Sequence, residues 1–346
     1  MMRFIVLMIA LMGLTFIFCT AKTLRQNQRM VTQIQPAIIL RVQIIMRKII
    51  LFSFVVFIAL SLSCQKDNPI NGGKPPCLDC PVDFRLTDFE PAWSPDGHTI
   101  AYVHGDTVNG QTGIWLIDTN GNNRHIIYAS AGAYSPTWLP NGQWIAFSNG
   151  GQICKMKLNG DSLTQLTVAG SNFFPDWSPD GQWIVYDRSL ADGSGPAGVW
   201  IMKSDGMQKK VIFGGSFPDW HPNGNIVIGV IGTSPTSIWT RFVRYSIIQS
   251  GTIDTLAAVV GNNNNYPKYF RDGTKIAFTS QPNGGKSQIW IMNSDGSNLH
   301  QLTSTQGYSC DWSPTGEWIV YTDSRAVSGR LWIIRIDGSG NHQLTF

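Results

Sequence analysis

Six copies of one short phrase constrain this chain more than any other feature. They read Trp93-Ser-Pro-Asp-Gly97, Trp138-Leu-Pro-Asn-Gly142, Trp177-Ser-Pro-Asp-Gly181, Trp220-His-Pro-Asn-Gly224, Tyr269-Phe-Arg-Asp-Gly273 and Trp312-Ser-Pro-Thr-Gly316. Their first residues are 45, 39, 43, 49 and 43 positions apart. A period in this range marks a repeat architecture, in which one supersecondary unit recurs and buries its faces against its neighbours.

Each unit has one internal order. Pro-Asp/Asn-Gly is turn chemistry, because Pro presets the second turn position and Gly accepts positive φ. A β-branched and aromatic run follows, as in Thr99–Val103, Trp144–Phe147, Trp183–Tyr186, Lys275–Phe278 and Trp318–Tyr321. After a variable polar loop comes a second run, such as Ile114–Ile117, Val199–Met202, Ile289–Met292 or Leu331–Ile334. It often ends in a hairpin dipeptide, Asp205-Gly206, Asp295-Gly296 or Asp337-Gly338. A short last strand reads Gln165-Leu-Thr167, Gln301-Leu-Thr303 or Gln343-Leu-Thr345. Nothing in this region sustains a 3.6-residue apolar period. The reading is all-β, a six-bladed β-propeller of four-stranded antiparallel blades over residues 83–346, with the recurrent Trp and Tyr between neighbouring blades.

The W-S-P-D-G, I-W-I-M-x-x-D-G and Q-L-T phrases resemble the WD40-like (PD40) propeller repeats of the TolB family. The resemblance covers 83–346, with a degraded fifth copy at Tyr269 and a stretch, Trp239 to Ala258, without the I-W-I-M phrase. It implies a protein- or peptide-binding role in the bacterial envelope. The TolB α/β domain ahead of the propeller is not expected here, because about twenty residues separate Cys64 from the first blade. One Leu-Thr pair, Leu86-Thr87, precedes the first of the six turn phrases. Either Arg85-Leu86-Thr87 pairs into the last blade or Gln343-Leu344-Thr345 completes it, the other pair being an extra edge.

Two stretches near the start read as export signals. One has Arg3 and an apolar run from Phe4 to Phe18; the other begins at Met46 with Arg47 and Lys48 and continues from Ile49 to Leu60. Neither is long enough for a membrane span. Ser61-Leu-Ser-Cys64 resembles the lipobox of bacterial lipoproteins, which implies lipidation at Cys64. Residues 1–45 are then a leader or an over-called start, 46–64 a lipoprotein-type signal peptide and 65–82 a flexible tether. Lys and Arg number 26 in the chain and Asp and Glu 22, but 1–64 holds seven of the bases and no acid. The remainder carries a net charge of −3, which gives no electrostatic case for nucleic acid.

The residues for chemistry are sparse. Cys77 and Cys80 suit a small local disulfide outside the cytoplasm; a haem motif needs His where Pro81 stands, and no second ligand pair has zinc spacing. Cys154 and Cys310 read as buried free thiols. There is no G-x-S-x-G elbow, and the six His residues are scattered. No catalytic residue, metal site or cofactor is expected. What remains is a surface. An aromatic lies three or four residues before every turn phrase, at Phe89, Tyr134, Phe173, Phe217, Tyr266 and Tyr308, on the strand expected to line the channel. Such a ring either packs between blades or forms a mouth for an extended partner, since rigid aromatics bind at low entropy cost. The loops at 106–112, 188–197 and 280–285 offer a second candidate surface on one face. The expectation is an envelope-anchored binding or scaffold module whose partner is a protein or peptide. A hydrolase or lyase acting on a glycan or peptide in the channel mouth is the alternative.

Overall fold

The computed structural model describes residues 86–106, 109–189, 195–232, 240–247, 251–256, 263–282, 285–323 and 329–346. The leader-like stretches, Cys64, the 65–82 tether and the Cys77/Cys80 pair lie outside the described residues. Within them, 24 strands form six antiparallel four-stranded sheets, each built from consecutive strands.

The first blade is β1 (Leu86–Trp93), β2 (Thr99–Asp106), β3 (Gly113–Asp118) and β4 (His125–Ala129). The second is β5 (Ala133–Trp138), β6 (Trp144–Asn149), β7 (Gln152–Lys157) and β8 (Thr164–Gln165). The third is β9 (Asn172–Trp177), β10 (Trp183–Arg188), β11 (Gly198–Lys203) and β12 (Lys210–Phe213). The fourth is β13 (Ser216–Trp220), β14 (Ile226–Gly232), β15 (Thr240–Ser246) and β16 (Ile253–Thr255). The fifth is β17 (Asn263–Tyr269), β18 (Lys275–Gln281), β19 (Gln288–Asn293) and β20 (His300–Gln301). The sixth is β21 (Tyr308–Trp312), β22 (Trp318–Asp323), β23 (Arg330–Arg335) and β24 (His342–Gln343).

The turn phrase makes the sharp link from each first strand to its second. In the first blade Ser94 N donates to Thr99 O (2.8 Å), Thr99 N to Ser94 Oγ (2.9 Å), and Ser94 Oγ to Asp96 Oδ1 (2.6 Å). Gly97 closes the turn at φ 80°, which a Cβ would disfavour. The second strands are apolar on both faces: Ile100, Ala101, Tyr102 and Val103 are all buried. That pattern belongs to a sheet sandwiched between two others.

Each of six apolar cores joins a pair of adjacent blades. Ala92, Val103 and Leu116 meet Trp138, Ile145 and Phe147 between the first and second blades. Val320, Leu331, Ile333 and Leu344 of the sixth meet Trp93, Ile100, Tyr102 and Ile117 of the first. The ring therefore closes through an interblade core like the other five.

Closure uses no borrowed strand. Gln343 pairs with Trp332 inside the sixth blade, whereas Leu86 and Thr87 begin β1 and pair with Asp106 and Gly105. The extra Leu-Thr pair is thus neither a closing strand nor a spare edge; it is the start of an inner strand. The other Q-L-T phrases act as latches. Thr167, Thr303 and Thr345 accept from the N–H of Ile153, Ile289 and Leu331 at 2.8, 3.0 and 3.0 Å, while Leu166, Leu302 and Leu344 are buried. Where the fourth blade lacks the I-W-I-M phrase, Phe242 and Val243 of β15 fill the same interior with complete burial.

Candidate functional site

The inner strands β1, β5, β9, β13, β17 and β21 surround the axis, and each contains the same irregularity. Pairing with the second strand skips between Phe89 and Ala92, Tyr134 and Thr137, Phe173 and Asp176, Ser216 and Asp219, Asn265 and Lys268, and Tyr308 and Cys310. The skipped residue is left-handed in every blade: Glu90 (φ 51°), Ser135 (52°), Phe174 (50°), Phe217 (52°), Tyr266 (53°) and Ser309 (42°). In five blades Pro follows, and in the sixth Cys310. Pro has no N–H to lose where the ladder is interrupted. A non-glycine residue in this region costs of order 1 kcal/mol and persists only when its surroundings over-determine it. Six instances at one structural position make this bulge part of the design of the channel.

The bulge decides which side chains meet the axis. The six left-handed residues and the prolines after them line a narrow cavity of about 50 Å³. The six aromatics expected from the sequence occupy two different positions of the inner strand. Phe217 and Tyr266 are at the left-handed position, whereas Phe89, Tyr134, Phe173 and Tyr308 lie one residue earlier. The axial residues at the other four bulges are Glu90, Ser135, Phe174 and Ser309. The sequence signal that locates them is the residue immediately before Pro, preserved in five of six copies.

The cavity is lopsided. On the side of blades three to five, Phe174, Phe217 and Tyr266 pack on one another with ring centroids 4.4–5.4 Å apart. Tyr308 joins them edge-on at 4.9 Å from Tyr266, and the two hydroxyls are hydrogen-bonded. Phe89 and Tyr134 form a separate pair at 6.0 Å, and Phe173 touches Phe174 at 6.4 Å. The opposite wall is polar: Glu90, Ser135 and Ser309. Glu90 Oε2 accepts from Ser135 N (2.7 Å) and Ser135 Oγ (3.2 Å). Burial nonetheless pushes the Glu90 carboxyl up to about 7, against the pull of those two donors. Asp187 is also raised by burial, to about 6.

Beyond the prolines the channel widens into a funnel of about 410 Å³ between the turn phrases. The residue before each Trp or Tyr faces it: Ala92, Thr137, Asp176, Asp219, Lys268 and Asp311. Lys268 Nζ lies 2.8 Å from Asp219 Oδ1 and 4.0 Å from Asp176 Oδ1. Burial disfavours the Lys268 charge, but Asp219, Asp176 and Asp311 together hold it well above the ordinary lysine range. Burial raises Asp311 to about 6 and Asp219 to about 7, the latter against the attraction of Lys268. These carboxylates also join blades. Asp176, Asp219 and Asp311 accept from the backbone N–H of Trp220 (3.0 Å), Tyr269 (2.7 Å) and Trp93 (2.7 Å) in the next blade round the ring. Among the described residues no group of three or more His, Cys, Asp or Glu side chains is arranged to hold a metal.

A protein-family model described as the TolB beta propeller domain (PD40) matches residues 81–237. No curated protein matches the sequence. Similar solved structures include a putative TolB from Agrobacterium tumefaciens, 21% identical over 64% of this chain and 84% of that one, with a TM-score of 0.56. An oligogalacturonate lyase from Vibrio parahaemolyticus is 12% identical over 71% of this chain and 77% of its own, with a TM-score of 0.50. A gluconolactonase from Xanthomonas campestris is 14% identical over 70% and 84%, with a TM-score of 0.53. At these identities the structures share the fold.

Proposed function

We propose that this chain, which carries a six-bladed β-propeller of the TolB-like PD40 type, is a binding or scaffold module of the bacterial envelope. Its site is the aromatic end of the channel, and its partner is an extended segment of a protein or peptide. The observation that carries this reading is the cluster of Phe174, Phe217 and Tyr266, held at the axis by left-handed backbone, with Tyr308 packed edge-on against Tyr266. Rigid aromatics at the centre of a recess are the residues that dominate recognition surfaces, and backbone strain persists where a function keeps it. Tyr134, more than a third exposed, adds a second aromatic surface with Phe89.

The test is selection of a displayed random peptide library on the protein, followed by calorimetry of the enriched peptides. A Tyr134→Ala/Tyr266→Ala/Tyr308→Ala variant that remains folded should bind them at least about tenfold more weakly, since such anchors are worth about 1–2 kcal/mol or more. No enriched peptide, or equal binding by the variant, overturns the proposal.

One observation favours an enzyme as the second reading: Glu90 in the narrow cavity and Asp219 in the funnel both have carboxyls displaced toward neutrality, as general acids and bases do. Turnover of a glycan or lactone panel that Asp219→Asn abolishes would select it. Envelope attachment through a lipidated Cys64 rests on the sequence of 46–64; the mass of the mature N-terminal peptide, with or without diacylglycerol, decides it.

A further inference from the structure

The lopsided cavity has chemistry more specific than an apolar recess. Its aromatic side offers the π-faces of Phe174, Phe217 and Tyr266 and a pair of bonded tyrosine hydroxyls. Its polar side offers one carboxylate. Both donors that reach Glu90, Ser135 N and Ser135 Oγ, bond to Oε2. Oε1 takes no protein donor among the described residues, although Glu90 lines the cavity. Lys268 also lines the cavity, and its charge is met by Asp219 at 2.8 Å and Asp176 at 4.0 Å.

A carboxylate facing aromatic rings across a small desolvated space is the arrangement that recognises an organic cation. The carboxylate supplies a charge-assisted hydrogen bond and the rings supply the negative face of their quadrupoles. A space of order 10–15 Å³ suffices for one water, so about 50 Å³ admits an ammonium with its first methylenes.

We infer that the gap between Glu90 and the aromatic cluster binds the primary ammonium group of a peptide partner, a lysine side chain or a chain N-terminus. This rests on the peptide-binding reading above and names the group that the site selects. Glu90 neutralises the charge, Phe174, Phe217 and Tyr266 cover the methylenes, and Ser135 holds the carboxylate in place from the next blade. Glu90 interacts electrostatically with Tyr266 and Tyr308, and Lys268 and Cys310 line the same cavity. Burial raises both tyrosines, Tyr266 well above the ordinary range, so they stay neutral.

The experiment is a ligand-observed NMR titration of the full chain at pH 8, where Glu90 is mostly ionised. The probes are N-α-acetyl-lysine N-methylamide, its N-ε-acetylated counterpart and alanine N-methylamide. Binding of the first but not the acetylated form assigns the site to a lysine side chain; binding of the third assigns it to a chain N-terminus. Glu90→Gln keeps an oxygen for Ser135 and should leave thermal stability no lower, while weakening the bound probe by about tenfold or more. Equal signals from the lysine probe and its acetylated form, with no binding of alanine N-methylamide, overturn the inference in the wild-type protein alone. So does a folded Glu90→Gln variant that binds as wild type does. If selected peptides bind but ammonium is irrelevant to them, the peptide reading survives without this one. If the ammonium probe binds and no peptide does, the site stands and the peptide reading falls.

Discussion

Glu90 shows how a single position acquires a property that its identity does not supply. A glutamate before a proline in a β-strand reads as an ordinary solvated carboxylate. Here the left-handed bulge turns it into the channel, and desolvation lifts its carboxyl to about 7. The sign of the linkage follows. The folded state holds the proton more tightly than the unfolded chain, so stability falls as pH rises from the unfolded value near 4.5 to about 7. At about 1.4 kcal/mol per pH unit of displacement the ceiling of this loss is about 3 kcal/mol. Urea unfolding of Glu90→Gln should therefore show a shallower decline across that interval than wild type. Equal slopes would mean that the carboxyl titrates normally. Asp187, Asp219 and Asp311 shift in the same direction, so a residual slope is expected in the variant.

At the scale of elements, the bulged inner strand and the Q-L-T latch carry the testable structure. Ser309 sits at φ 42° and its N–H donates to Thr279 Oγ1 in the neighbouring blade (3.1 Å). Ser309→Gly relieves the left-handed strain and keeps that bond, so it should be neutral or stabilise by up to about 1 kcal/mol. Ser309→Val, β-branched in a left-handed conformation, should destabilise by about 1–3 kcal/mol. Thermal melts of the two variants moving in the same direction would refute the bulge as drawn. In the latch, Thr303→Val preserves volume but removes the acceptor for Ile289 N, which is buried. The expected cost is about 1–3 kcal/mol in chemical denaturation. The strand order and the turns were legible because their signals are local: Pro, Gly and β-branched residues at fixed spacing. The latch role of Thr was not, since its partner lies 14 residues away.

For the whole molecule the question is what closes the ring. Besides the sixth interblade core, Asp311 Oδ2 accepts from Trp93 N at 2.7 Å across 218 residues, and Asp88 N donates to Gly329 O at 2.9 Å. Asp311→Ala orphans a buried N–H and removes a carboxylate from the Lys268 cluster. It should lower stability by about 1–3 kcal/mol and be partly rescued by Asp311→Asn, which keeps an acceptor. A rescue no better than alanine would assign the effect to charge. Deleting 342–346 strips β24, the Thr345 latch and the buried Leu344 from the closing blade. A single cooperative unfolding transition shifted to lower denaturant is expected, because the sixth blade's core is shared with the first.

The order of residues by itself determined the class of fold, the number of blades, the turns, and which side chains build the interblade cores. All of these follow from periodicity and local conformational preference, which act over a few residues. Only the tertiary structure decided which aromatics reach the axis, that Glu90 faces them, and that Lys268 sits amid three carboxylates from three other blades. A one-residue difference along a strand sends a side chain to the other face. The left-handed bulge resets that alternation at six places that line the axis. Convergence on the axis brings together residues from blades that are far apart in the chain, and no spacing within one repeat encodes it.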